Sequence, residues 1–205
     1  MIQRKAQLDR KSKETEIKID LNVDGKGDTK IKTPIGILDH MLELFAFHGF
    51  FDLKIEVKKA DLNIDIHHTN EDIGIVLGKA FKKALGEKEG IRRFGSAYAP
   101  MEATLGQVVI DISGRGYLTF QVDRQKIRPV VKDQEGYAFS YLEHFLESFA
   151  HGIGATIHVR IDNVSEDLHT NLETIFKSLG LALDQATRID PRRGKKIPST
   201  KGIID

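Results

Sequence analysis

The sequence contains no cysteine. That absence excludes disulfides, thiolate zinc sites and thiol nucleophiles together, and it leaves histidine and carboxylate to build any metal site. No run of about 18 apolar residues occurs, the length a membrane-crossing helix needs. The opening stretch "MIQRKAQLDRKSKE" lacks the apolar centre of a signal peptide, so a cytoplasmic location is the expectation. Net charge is also scarce: 31 Lys and Arg stand against 30 Asp and Glu, a formal +1. Bulk attraction to nucleic acid is therefore not expected, and partners are to be sought in local sites. What is present is a globular composition, 40% hydrophobic and 30% charged. The 205 residues suffice for one real core or two small ones.

Internal similarity organises the chain. "LDHMLELFAFHGFFDLKIEV" from Leu38 aligns with "LEHFLESFAHGIGATIHVRI" from Leu142, and "HHTNEDIGIVLGKAF" from His67 aligns with "HTNLETIFKSLGLAL" from His169. The offset is 104 residues between His40 and His144 and 102 between Glu71 and Glu173, the mark of a tandem duplication with a small deletion. We assign residues 1–95 to the first half, 96–190 to the second and 191–205 to a C-terminal substrate-binding tail, all in one compact domain. In each copy an acid-His pair leads into helical spacing (Met41 to Phe47), followed by an alternating strand (Leu53 to Val57). After the His cluster, "IGIVLGKAFKKALG" reads as a helix closed by Gly86. Strand pairs are expected in "TEIKIDLNV" leading to the "DGKGD" turn, and in "GQVVIDISGRGYLTFQV", bent at Ser113 to Gly116. The fold class is α+β: a duplicated unit of sheet backed by helices, its halves related by a pseudo-twofold.

Six of the eight histidines (His40, His48, His67, His144, His151 and His169) fall at equivalent places in the two halves, and His68 adjoins His67. Imidazole is the commonest metal ligand, and Glu71 and Glu173 would complete sites for manganese, iron or zinc. Residues three and four apart at a helix start share a face and can converge on one ion. Adjacent His67 and His68 point apart, which favours two ions or two sites at a subunit boundary. Taken singly, His48 or His151 in an amphipathic helix is ordinarily a hydrogen-bonded core or surface residue. His158, outside the repeat pattern, is structural, and Asp39 and Glu143 are helix caps or groups that orient the imidazoles.

"LDHML", "HHTNEDIGIVLG", "RRFG", "DISGRGYL", "EHF", "FKSLGLAL" and "DPRRGKKIPSTKG" together resemble the imidazoleglycerol-phosphate dehydratases of histidine biosynthesis, over Arg10 to Asp205. The resemblance implies a duplicated βαβ-type fold with mixed four-stranded sheets, like domain 2 of ribosomal protein S5. It also implies trimers assembled into a 24-subunit shell, with active sites at subunit interfaces holding two manganese ions (Mn2+). The implied reaction removes water from D-erythro-imidazole glycerol phosphate to give imidazole acetol phosphate. The substrate ring is bound as imidazolate between the metals and reacts through a diazafulvene-like intermediate.

Carried over by position, the resemblance puts a first ligand set on His40, His67, His68 and Glu71, and a second on His144, His169 and Glu173. His67, Glu71 and Glu173 are also implicated in catalysis. Two departures stand out: Thr170 where the family has a second His, and Glu102-Ala103 where it has an Asp-Glu pair. Glu14 matches the proposed acid/base, with Glu16 as the competing residue two positions on in the same strand. Arg93, Arg115, Ser199, Thr200 and Lys201 match phosphate contacts, with Lys177 assisting and His40 and His48 beside the substrate. The departures keep open a non-catalytic paralogue that retains the fold and binds the imidazole or sugar phosphate. A generic metallophosphatase would want an Asp-rich cluster, and a nucleic-acid binder would want aromatic residues among its basic ones.

Overall fold

Strand order repeats along the chain. In the computed structural model, which describes residues 4–63, 65–122 and 136–204, the elements run as follows. The first half contributes β1 (Lys5–Lys11), β2 (Glu16–Asn22), β3 (Thr29–Lys32), α1 (Gly36–His48), β4 (Asp52–Lys59) and α2 (His67–Leu85). The second contributes β5 (Phe94–Met101), β6 (Thr104–Asp111), β7 (Tyr117–Gln121), α3 (Phe139–Ile153), β8 (Thr156–Asp162) and α4 (Leu168–Thr187). The first sheet is ordered β1-β2-β4-β3 and the second β5-β6-β8-β7, so the halves share one topology. Within each sheet one pairing is parallel, β3 with β4 and β7 with β8. A crossover helix, α1 or α3, supplies the length that a parallel connection requires.

Strand β2 shows why each sheet has one wet face: Ile17, Ile19 and Leu21 are buried while Lys18, Asp20 and Asn22 alternate with them at the surface. The helices cover the inner faces, and α2 then packs on α3 and α1 on α4, joining the halves into one core. Phe45, Phe81 and Phe149 meet there with ring centroids 5.9 to 6.2 Å apart, spanning both halves. Glycine allows the close crossings. A Cβ on Gly78 would lie 2.5 Å from the Phe149 carbonyl oxygen, and one on Gly180, its counterpart, 2.3 Å from that of Phe45. Helix backbones therefore touch, and the side chains on their first turns are brought within bonding reach.

Two expectations change. The stretches flanking "DGKGD" and Ser113 to Gly116 do form strands, but β2 and β3 are not partners, and neither are β6 and β7; β4 and β8 lie between them. Glu14 is not on a strand with Glu16: it sits in the turn joining β1 to β2, whereas Glu16 opens β2 and pairs with Lys11 at 3.2 Å. The C-terminal segment runs along the connection between α2 and β5. There the Gly90 N–H donates to the Lys196 carbonyl at 3.0 Å and Asp190 returns a bond to Gly90 at 2.8 Å. Among the described residues no helix is long and apolar enough to cross a membrane.

Candidate metal centres

Helix α2 begins at His67, so the ligand-like cluster is its first turn; α4 begins one residue before His169. The four-residue spacing sets His67 Nε2 3.3 Å from a Glu71 carboxylate oxygen and His169 Nε2 2.9 Å from a Glu173 oxygen. Each pair gains a third donor from the other half. His144, on α3, brings its Nδ1 to 2.8 Å from His67 Nδ1. His40, on α1, brings its Nε2 to 3.3 Å from the same Glu173 oxygen, its ring stacked on His169 with centroids 5.1 Å apart. The structure thus regroups the donors expected from sequence: His40 joins His169 and Glu173, and His144 joins His67 and Glu71. Both groups cross the repeat.

Of the two, the Glu173 group is the one that converges, with donor atoms of His40, His169 and Glu173 all within 4.8 Å of one another; in the other, His67 turns Nδ1 to His144 and Nε2 to Glu71. Its second carboxylate oxygen accepts from the Lys177 ammonium. Partial burial raises the Glu173 pKa, but hydrogen bonds from Lys177, His40 and His169 outweigh it and hold the group at about 2. His48 lies in the same field: partial burial and then the Lys177 charge lower its pKa, against a pull from Glu173. Nitrogen and carboxylate donors without thiolate suit a divalent ion of the manganese-to-zinc series, and three protein donors leave coordination positions open for water, substrate or a neighbour's side chain.

His68 points away from both groups. Its Nδ1 meets Asp61 at 3.1 Å, and Glu14, Asp61 and His68 offer donor atoms within 4.8 Å of one another. The Asp61 hydrogen bond, assisted by the charges of Glu14 and Asp65, raises the His68 pKa. Glu14, and not Glu16, belongs to this group. Thr170, at the place corresponding to His68, is turned to another use: its hydroxyl donates to Asp167 at 2.9 Å, and the same carboxylate caps the backbone of α4. Asp39 accepts the Thr33 N–H in the turn before α1. Asp72, next to Glu71, faces inward and binds Arg10 and Thr15, fixing β1 and β2 to α2.

The anion-binding candidates lie elsewhere. Arg93 adopts φ 76°, uncommon for a residue with a Cβ. Its guanidinium grips Asp111 through two bonds of 2.6 and 3.0 Å and reaches the Pro198 carbonyl at 3.0 Å, which leaves two of its five N–H donors. Arg115 is exposed in the turn between β6 and β7, and Ser199, Thr200 and Lys201 form a turn just beyond Pro198. The Arg93 N–H bonds the carbonyl of Ala186, near the end of α4, whereas Glu173 is in its first turns. Thirteen helical residues separate them, about 20 Å. Lys177 belongs with the metal donors.

Sequence reasoning missed Asp61, Asp111 and the buried Asn70. Asp61 and Asp111 gave no periodic signal, being loop and strand-end acids whose partners lie far along the chain.

The family described as imidazoleglycerol-phosphate dehydratase matches residues 33–183. An imidazoleglycerol-phosphate dehydratase of Thermoanaerobacter sp. (strain X514) is 49% identical over 202 residues, covering 98% of this chain and all of the relative; one of Methanocella arvoryzae is 48% identical over 201 residues with the same coverage. A crystal structure of the Pyrococcus furiosus protein, in complex with (S)-C348, superposes with TM-score 0.79 at 37% identity, over 96% of this chain and 99% of that one. The Staphylococcus aureus structure gives 0.77 at 32%, over 91% and 99%. Together with the duplicated sheets and the paired His/Glu groups, these likenesses establish that the chain belongs to the imidazoleglycerol-phosphate dehydratase family, lyases of histidine biosynthesis.

Proposed function

We propose that the chain dehydrates D-erythro-imidazole glycerol phosphate to imidazole acetol phosphate at composite sites holding two manganese ions. The observation that carries this reading is the converged His40/His169/Glu173 group, together with His67 standing between His144 and Glu71 at the equivalent place, each built across the repeat. Bound there, manganese would act as Lewis acid and template for the substrate's ring. The carbon-bound hydrogen beside the ring leaves as a proton and the neighbouring hydroxyl leaves as water. Glu14, solvent-exposed beside His68, is the group we assign to that proton. Arg93 and Arg115, with Ser199, Thr200 and Lys201, hold the phosphate by charge and hydroxyl donors, and His48 lines the substrate side of α1.

The same geometry supports a composite assembly. About 20 Å of α4 separates Glu173 from Ala186, the residue that the Arg93 N–H bonds, more than one imidazole glycerol phosphate spans, so a site would join one subunit's metals to another's anion cradle. His68 then faces a neighbour. The outer face of the second sheet, which exposes Phe94, Tyr98, Val109 and Tyr117, suits burial between copies. Trimers and a 24-subunit shell are the assembly we propose, in the cytoplasm. Thr170 favours a second reading, a paralogue that binds the phosphorylated imidazole without turnover, since a cap-bonded hydroxyl supplies no imidazole.

The test is turnover by the purified protein, stripped with chelator and titrated with manganese. Activity returning with the metal, and lost in His67→Ala and Glu71→Ala variants that still assemble, is the expected result. Normal turnover in either variant would refute the ligand assignment. An assembled protein inactive at saturating metal would favour the paralogue.

A further inference from the structure

Asn70 occupies an expensive position. It lies in the first turn of α2, between His68 and Glu71, and is 0% exposed. Asparagine is a poor helix former, and an amide taken out of water without partners costs a few kcal/mol. Here both ends of the amide are used, and both reach across to the chain leading into α3. Oδ1 accepts from the Tyr137 hydroxyl at 2.9 Å, and Nδ2 donates to the Tyr141 carbonyl at 2.7 Å. Tyr137 is itself 1% exposed, its ring 5.7 Å from that of Tyr141. Burial raises its pKa, against the bond to Asn70, so the phenol stays protonated and donating.

The pair ties together two turns that matter. Asn70 shares its turn with His67 and Glu71, and the segment from Tyr137 to Tyr141 opens the helix that carries His144. Hydrophobic contact between α2 and α3 is non-directional and tolerates small slides, whereas a buried amide bonded at both ends accepts one register. A slide of an ångström would separate His67 from His144, now 2.8 Å apart. The second half lacks the device. Leu172 stands at the place of Asn70 and Thr33 at that of Tyr137, and the nearest amide there, Asn171, bonds only to its own loop at Ser165 and Asp167.

We propose that Asn70 and Tyr137 are positioning residues for the His67/His144/Glu71 centre, fixing the register of α2 against α3 so that His144 stays beside His67 and Glu71 and the three can close on one divalent ion. This rests on the metal reading above. The experiment isolates the centre. In a His40→Ala background, which disables the other group, manganese binding to the chelator-stripped, assembled protein is titrated by the paramagnetic resonance signal of free Mn2+. The measurement is repeated with Tyr137→Phe, which keeps the ring, and with Asn70→Leu, the residue the second half carries. Either substitution should weaken the remaining manganese site about tenfold or more, while the same substitutions in a His144→Ala background leave the His40 site unchanged. A purely structural pair would lower the melting temperature but leave manganese affinity in the His40→Ala background unchanged, and that result would overturn the proposal. A wild-type chain that binds no manganese would sink the metal reading itself, and the proposal with it.

Discussion

Replacing Gly78 by alanine tests whether helix contact sets the geometry of the site. The added Cβ would stand 2.5 Å from the Phe149 carbonyl oxygen, 2.7 Å from the Ile153 nitrogen and 2.8 Å from the Gly152 Cα. All three are backbone atoms, so no rotamer change relieves the clash. An ordinary contact near 3.4 Å requires α2 and α3 to part by roughly 1 Å. Overpacking of this kind costs about 1–3 kcal/mol, and alanine's better helix propensity returns up to about 1 kcal/mol. With the full return the net loss is up to about 2 kcal/mol, a fall in melting temperature of up to about 8 °C for a chain of this size. Gly86→Ala provides the contrast. That residue has φ 52° and ψ −127°, outside the left-handed α region, and nothing within 4 Å of the added atom, so alanine there carries backbone strain of about 1–3 kcal/mol and no separation of helices. Calorimetry and manganese titration should therefore diverge: Gly78→Ala loses stability and metal affinity together, Gly86→Ala stability alone. If Gly78→Ala is as stable as the parent and binds manganese equally, the backbone contact is not what holds the donors.

Two further outcomes follow from local physics. Glu173 has its pKa lowered from 4.5 to about 2, so its carboxylate contributes stability in full above about pH 4.5 and loses it as pH falls toward 2. The shift corresponds to about 3 kcal/mol, which solvent screening reduces to about 2. Lys177→Met removes the strongest of the bonds that lower it, so the metal-free variant should show a shallower fall in urea midpoint between pH 5 and 3 than the parent; parallel curves would show that the ammonium is not responsible. Glu102, first of the two residues linking β5 to β6, has φ 52°, the positive region that primed hairpin turns reserve for glycine or asparagine. Glu102→Gly should raise stability by up to about 1 kcal/mol, and a lower melting temperature would remove strain from the account of that turn.

The helices and inner strands were legible because their apolar residues are large and periodic. Strand β5 was not, for a physical reason: it lies so close to α4 that a Cβ on Gly95 would fall 1.9 Å from the Ala182 carbonyl. Its inward residues are therefore Gly95, Ala97 and Ala99, while Phe94 and Tyr98 face outward, the reverse of the usual signal. Strand β1, "KAQLDRK", turns Ala6, Leu8 and the Asp72-bound Arg10 inward, only two of them apolar. The order of strands could not be read from adjacency, because the strands that follow α1 and α3 insert between earlier ones. Among the site residues, the donors were visible through their recurrence. Their grouping was not, since it depends on α1 meeting α4 and α2 meeting α3.

Pseudo-symmetry separates what the site requires from what each half added. Three pairs of donors persist: His40 with His144, His67 with His169, and Glu71 with Glu173. So do the glycines at the helix crossings, Gly78 with Gly180 and Gly49 with Gly152. Divergence reaches the residues just beside the donors, where His68 faces Asp61 but Thr170 caps α4, Asn70 spans to Tyr137 but Leu172 is apolar, and Lys177 holds Glu173 where Ile75 stands in the first half. A scaffold kept symmetric with its flanking groups altered gives two centres of the same donors and different surroundings. One is held by a buried amide, the other neutralised by an ammonium. Each centre borrows a histidine from the opposite half, so both depend on the core that joins them, and the symmetry of that core is what their common chemistry preserves.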